Sequence, residues 1–382
     1  MEASPTITQP TARREAMVLL TLSAIAILAI AGVFALVKRF HHWQGSLASR
    51  LYENGQRELQ SGNPAKAIED FRSALAFEGD NYQYQLSLAE ALEAAGRYDE
   101  AESYLLNLWE RQPQDGMVNL QLARLAAHRH LINQVLRYYH NAIYGIWQQN
   151  PDQSRRMARL ELIDYLIRDN SLTQAQAEII AMVAGLPPDP QLLHRAAGLF
   201  MEIGDYQNAL DQFRRAYQLD HNSLEAAQGA GEAAFKLGRY KTAQRYLQIA
   251  VNGGRTQASD ILNTIELILS SDPFRQNLPA QQRLHRTEQA YEAASNRLQS
   301  CMNSHGNTGT SNGTPSPLQK LDQQRQQLRP KLRRAAQDPD LLDSIMNFAF
   351  DVEETTDQEC GLTTGIDRAL LLIGRNRERV ER

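Results

Sequence analysis

Cys301 and Cys360 are the two cysteines of the chain, and the chemistry open to them is oxidation to one disulfide. Two sulfurs cannot build a cysteine-rich staple fold or a four-thiolate metal cage. A bridge across the 59-residue separation would restrict the unfolded chain and stabilise the fold by roughly 2–4 kcal/mol. An oxidising compartment favours the pair; the cytoplasm favours two free buried thiols.

The histidines offer less. His128 and His130 are two residues apart and His140 is ten further on, a spacing without the pattern of a zinc site. Positions at a groove edge or in solvent explain them. The chain lacks the phosphate-cradling, dinucleotide-binding, nucleophile-elbow and H-E-x-x-H motifs. Its carboxylates are scattered over polar helix faces. The sequence therefore points to no enzyme, no metal, no cofactor and no small-molecule substrate. Tyr138, Tyr139, Tyr144 and Trp147 form a local aromatic group. If exposed, it would anchor a protein partner; at helical spacing it also suits the filling of a junction between packed helices.

The chain has 382 residues, with 40 Lys and Arg against 44 Asp and Glu, and 42% apolar residues. That net charge of -4 argues against nucleic acid as the partner. The apolar residues are unevenly placed. Met17 to Val37 is uncharged over 21 residues, enough for a helix of about 30 Å and hence for a bilayer core. Lys38 and Arg39 follow directly, an odd start for a mature chain, so an uncleaved anchor is expected rather than a signal peptide. Arg13 and Arg14 oppose Lys38, Arg39 and Arg50 in the positive-inside count. With a short cytoplasmic tail, the remainder would lie in the periplasm of a bacterial inner membrane.

Beyond the anchor a period of 34 residues appears. Gly204, Ala209, Phe213 and Ala216 repeat as Gly238, Ala243, Leu247 and Ala250, all offset by 34. Gly62, Ala67 and Phe71 repeat in the same way as Gly96, Ala101 and Leu105. Ala123, Val135, Tyr139 and Ala142 suggest a third early unit. After a six-residue slip, Ile163, Ala175, Ile179 and Met182 lead in frame into the later pair.

This pattern resembles the tetratricopeptide repeat (TPR) family, with units starting near Ala48, Tyr82, Gly116, Arg156, Pro190 and Leu224. The departures are Ile163 at a position usually small, and His130 and Asn170 at positions usually Gly. The resemblance implies an all-α, TPR-type right-handed α-solenoid of antiparallel helix pairs, stacked so that each pair covers its neighbour's apolar face. It also implies that the first helix of each unit lines a groove. Tyr52, Gln56, Glu90, Arg124, His128 and His194 are then candidate partner-binding residues, beside Tyr138, Tyr144 and Trp147 of the aromatic group. Tyr52 and Gln56, then Leu86 and Glu90, replace the Lys and Asn set that clamps a terminal carboxylate in some family members. The acidic chaperone tail is therefore not the expected ligand.

After Ala250 the repeat fades. Helices are expected over Thr256–Ser271, Pro279–Met302 and Leu318–Ala336, with a short apolar helix through Ile345, Phe348 and Phe350 and another through Ile366–Ile373. The organisation expected is an N-terminal tail (1–16), one transmembrane helix (17–37), a juxtamembrane linker (38–47), six TPR-like units (48–255) and a C-terminal helical hairpin or cap (256–382) with a flexible loop at 304–317. Its expected function is a membrane-anchored protein–protein interaction scaffold that recruits or supports assembly of an envelope or membrane complex. The lipid bilayer would be engaged through residues 17–37. The alternatives are a stable auxiliary structural subunit of such a complex and, less favoured, an enzyme with an unrecognised C-terminal catalytic domain.

Overall fold

A computed structural model describes residues 10–304, 316–335, 337–361 and 364–381. Most of the expected tail (1–9) and of the expected loop (305–315) lies outside the described residues. Every regular element among the described residues is helical apart from one isolated parallel bridge. The chain divides into two compact units, Met1–Asn170 and Ser171–Arg382.

The first unit begins with α1 (Pro10–Gln60), a single helix of 51 residues. Its Met17–Val37 stretch is apolar and exposed, and it is long enough to cross a membrane by length and composition. Residues 38–47, expected as a linker, continue the helix. They contain no proline, and Gly45 alone costs a helix only about 1 kcal/mol. The end of α1 packs against α2 (Pro64–Phe77). Next come the pairs α3 (Tyr82–Ala94) with α4 (Tyr98–Arg111) and α5 (Gly116–His128) with α6 (Ile132–Tyr144), then α7 (Pro151–Arg168). Gly55 lets α1 approach α2: a Cβ there would meet the Phe71 ring at 2.6 Å. Ala67, Ala101, Ala89 and Ala123 are buried at the corresponding close approaches.

The turn inside each repeat requires a left-handed residue. Gly62 and Gly96 supply it at φ 81° and 74°; His130 and Asn170 adopt it at φ 56° and 60°. The departures from Gly therefore leave the turn geometry unchanged. Asn tolerates this region, whereas His bears a Cβ penalty of roughly 1–2 kcal/mol. His130 is solvent-exposed. His130→Gly is accordingly expected to raise stability by about 1 kcal/mol, checked by the denaturation midpoint of the detergent-solubilised chain.

The six-residue slip is ordered by backbone. Gly116 N–H donates to Ile146 O at 2.9 Å, and Ile146 N–H donates to Gln114 O at 2.7 Å. The Trp147 ring lies so close to Gly116 that a Cβ there would come within 2.3 Å of it, and the indole N–H donates to Ala142 O at 2.8 Å. Asp115 caps α5 through Val118 N–H and also accepts from the Tyr82 hydroxyl at 2.8 Å.

The second unit contains α8 (Leu172–Ala184), the pair α9 (Pro190–Glu202) with α10 (Tyr206–Leu219), and the pair α11 (Leu224–Lys236) with α12 (Tyr240–Asn252). Asp189 and Ser223 cap α9 and α11 by accepting backbone N–H bonds. The C-terminal helices are α13 (Ser259–Ser271), α14 (Ala280–Ser304), α15 (Pro317–Leu328), α16 (Pro339–Cys360) and α17 (Gly365–Glu381). Tyr291, Ile345, Met346, Phe348, Val352, Leu370 and Ile373 share one buried core. The Tyr240 hydroxyl donates to Leu372 O at 3.2 Å, joining α17 to the last repeat.

Three expectations are corrected here. The helix through Ile345 is not short: it runs through the acidic segment to Cys360, because Val352 and Thr356 extend its buried stripe at i+4 spacing. The helix expected over Leu318–Ala336 ends as α15 at Leu328 and gives way to a 3₁₀ segment, Arg329–Arg334. The helix expected through Ile366–Ile373 is also longer: α17 runs from Gly365 to Glu381.

Candidate functional site

Within the first unit, α3, α5, α6 and α7 surround a cavity of about 890 Å³. Glu90 and Glu93 stand one helical turn apart on α3, and Arg124 and His128 on α5. Tyr139 comes from α6, and Glu161, Asp164 and Tyr165 from α7.

A polar chain runs across the wall. Gln121 Nε2 donates to Glu90 Oε1 at 2.9 Å, and Arg124 Nη1 donates to Gln121 Oε1 at 3.3 Å. Arg124 then grips Glu161 with two bonds, Nε to Oε2 at 2.9 Å and Nη2 to Oε1 at 2.6 Å. Such forked guanidinium–carboxylate pairs fix geometry as well as charge. The Glu161 hydrogen bond holds Arg124 more firmly protonated than a free guanidinium. Burial and the Glu161 charge push the Tyr139 hydroxyl up.

Glu93 stands apart from this chain. Its carboxylate makes no hydrogen bond or ion pair among the described residues, and desolvation pushes it up to about 7, against the opposing pull of Arg124. Desolvation also raises Glu90, offset by Gln121 and Arg124. His128 lies against the Tyr98 ring at 4.8 Å.

Glu90 also lines a second cavity of about 460 Å³. Its other walls include Tyr82, Leu86, Met117, Ile146, Trp147 and Met157. Met117, Ile146 and Met157 are exposed to solvent.

The candidate residues thus fall into separate places. Glu90, Arg124 and His128 share the larger cavity, and Trp147 joins Glu90 at the smaller one. Tyr52 and Gln56 are occupied elsewhere: Gln56 Nε2 donates to the Tyr52 hydroxyl at 3.0 Å and to Ser87 Oγ at 2.9 Å, and Tyr52 stacks on Tyr84 at 4.8 Å. Tyr138 is buried beneath the Arg137 guanidinium. Tyr144 is 74% exposed, and its hydroxyl accepts from Arg159 Nη2 at 3.1 Å. His194 lies in the second unit, edge-on to Phe213 at 5.2 Å, with burial and then Arg255 lowering its pKa. Sequence spacing did not mark Gln121, Glu161 or Tyr165. Glu161 is 37 residues from Arg124, an offset that the ordered slip creates.

Cys301 and Cys360 stand at disulfide distance in the second unit, with Cα atoms 5.7 Å apart. Among the described residues, no group of three or more His, Cys, Asp or Glu is arranged to hold a metal. The helix-pair architecture is consistent with a non-catalytic scaffold.

A tetratricopeptide repeat family model matches residues 58–125 and 200–267. The C-terminal part of a TPR repeat-containing protein from Cytophaga hutchinsonii is similar at 13% identity, over 62% of this chain and 93% of that one, with a TM-score of 0.41. The P58(IPK) TPR domain is similar at 14% identity over 88% and 99% of the two chains, with a TM-score of 0.28. MamA from Desulfovibrio magneticus RS-1 is similar at 16% identity over 55% and 97%, with a TM-score of 0.30. These likenesses do not bear on what the chain binds. No curated protein matches it. The 34-residue pairing, the left-handed turns and the family match together establish that the chain carries a tetratricopeptide-repeat domain.

Proposed function

We propose that this protein is a membrane-anchored scaffold that holds a protein partner in the groove of its first unit and supports assembly of an envelope complex. The observation carrying this reading is the continuity of α1. One helix contains both the exposed apolar stretch and the first repeat helix. An anchor joined in this way keeps the groove near the bilayer and raises its effective concentration toward a membrane partner. The disulfide-distance cysteines favour an oxidising compartment, and hence a periplasmic location for residues after Val37.

The exposed Tyr144, Ile146 and Met157 favour a second reading, in which the protein is a permanent subunit and this surface is buried against another chain. Two measurements separate the possibilities. A reporter active only in the periplasm, fused after Arg382, is expected to be active while the chain resists alkaline extraction from membranes. Activity only from a cytoplasmic reporter, or release into the alkaline supernatant, would defeat the anchored periplasmic reading. Size exclusion after mild solubilisation then distinguishes a largely free scaffold from a subunit that co-migrates at constant stoichiometry.

A further inference from the structure

We infer that the occupant of the first-unit groove is a basic linear segment, with a Lys or Arg side chain received at Glu90 and Glu93 and a neighbouring apolar side chain seated against Met117 and Met157. This rests on the scaffold reading and names the chemistry of its partner. The larger cavity is lined by the carboxylates of Glu90, Glu93, Glu161, Asp164 and Asp169 against the guanidiniums of Arg124 and Arg168. Arg124 is already forked onto Glu161, so its charge offsets the α3 carboxylates only in part.

Two observations besides the acidic balance point to an occupant. Glu93 is half-buried on the wall, and its carboxylate has no hydrogen bond or ion pair among the described residues. Tyr165 lines the same cavity at 8% exposure, and its hydroxyl has no hydrogen-bond partner among the described residues. Buried polar groups left in this way are costly, and a ligand that supplies donors removes the cost. An ammonium or guanidinium brings donors together with the complementary charge.

The second cavity argues for a peptide rather than an isolated amine. Glu90 lines both cavities. The exposed Met117 and Met157 of the second offer adaptable apolar surface directly beside the acidic site. A linear chain with alternating cationic and apolar side chains can occupy both at once. An acidic peptide would meet a wall on which carboxylates outnumber guanidiniums, a repulsion that discriminates against it.

The test uses the full chain in detergent micelles and three labelled, end-blocked peptides, built of repeating Leu-Lys, Leu-Gln or Leu-Glu dipeptides, read by fluorescence anisotropy. A micelle-only titration is subtracted. The Leu-Lys peptide is expected to bind at least tenfold more tightly than either of the others. Glu90→Gln and Glu93→Gln, which retain size and hydrogen-bonding capacity, are each expected to weaken it roughly tenfold. An Asp260→Asn control on α13, which lines neither cavity, should leave it unchanged. Circular dichroism of each variant confirms that helicity is retained. Equal affinity for the three peptides, or wild-type affinity in both Glu→Gln variants, overturns the inference. Competition by spermidine at the same concentration as the peptide also overturns it, since the site would then take free polyamine. If the peptide arm fails while the membrane-extraction and reporter results hold, the partner's chemistry is wrong and the anchored scaffold stands.

Discussion

Breaking the Cys301–Cys360 connection is expected to destabilise the C-terminal helices by about 4 kcal/mol. The connection would close a loop of sequence separation 59 that contains α15 and α16. Chain-entropy arguments place a loop of that length at roughly 4 kcal/mol, because the open unfolded chain gains conformations that the closed one lacks. The folded side provides little to replace it. Cys301 is buried in the core of α14, but Cys360 sits at the very end of α16, where helix ends fray. Beyond the sulfurs, Arg297 Nη2 donates to Gly361 O at 2.7 Å and holds the same end of α16. That single partly exposed bond is worth about 1 kcal/mol. Hydrogen exchange of α14 and α16 in the full chain, for wild type and the Cys301→Ser/Cys360→Ser pair, should show the loss in these helices and little change in α3–α6. Quantitative alkylation of both thiols without reductant, in protein isolated from its native cells, would show that no bond exists there.

The second large effect is expected at Glu353. Its side chain is 0% exposed on α16, and neither carboxyl oxygen has a hydrogen-bond partner among the described residues. Desolvation pushes the carboxyl up to about 8, reinforced by Asp367 on α17 and Asp357 on α16 and opposed by Arg297 on α14. The folded protein therefore retains a proton that the unfolded chain releases near pH 4.5. Stability from this group is fully present below pH 4.5 and declines as pH rises toward 8, where the buried site must itself accept a charge. Across that window the loss is on the order of 5 kcal/mol. Glu353→Gln removes the titration while keeping the shape. Denaturation of the full chain in detergent at a series of pH values should show the downward slope in wild type and its flattening in the variant. Parallel slopes for the two proteins would reject this account. A slope confined to the region below pH 5 would do so as well.

The two effects meet in one place. Arg297 faces Glu353 and also binds the Gly361 carbonyl beside Cys360. Loss of the sulfur connection and ionisation of Glu353 therefore act on the same end of α16. Residues this close need not contribute additively, so the triple variant measures a coupling as well as a sum.

Much of this architecture was legible before any coordinates. A spacing of 34 residues places small side chains where two helices approach closely and a left-handed residue where the chain reverses. Both requirements are local and recur in each repeat, so they leave a periodic trace. The trace persists at His130 and Asn170, where the residue type departs but the backbone does not. The exposed apolar run of α1 was equally plain, since an uncharged stretch of that length is a one-dimensional property.

Tertiary structure decided what depends on distant neighbours. The acidic segment before Cys360 reads as polar, yet Val352, Glu353 and Thr356 are buried because α14 and α17 cover that face. A carboxylate on a polar helix is ordinarily solvated, and nothing local marks Glu353 as an exception. The groove shows the same division. Period and family resemblance pointed to Glu90, Arg124 and His128, but the pairing of Arg124 with Glu161 depends on the bridge between the starts of α5 and the loop at Ile146. That bridge absorbs the six-residue slip and sets the face that α7 presents. Local spacing determines which helices form and where they turn; only the packed chain determines which charges remain uncompensated once water has been excluded.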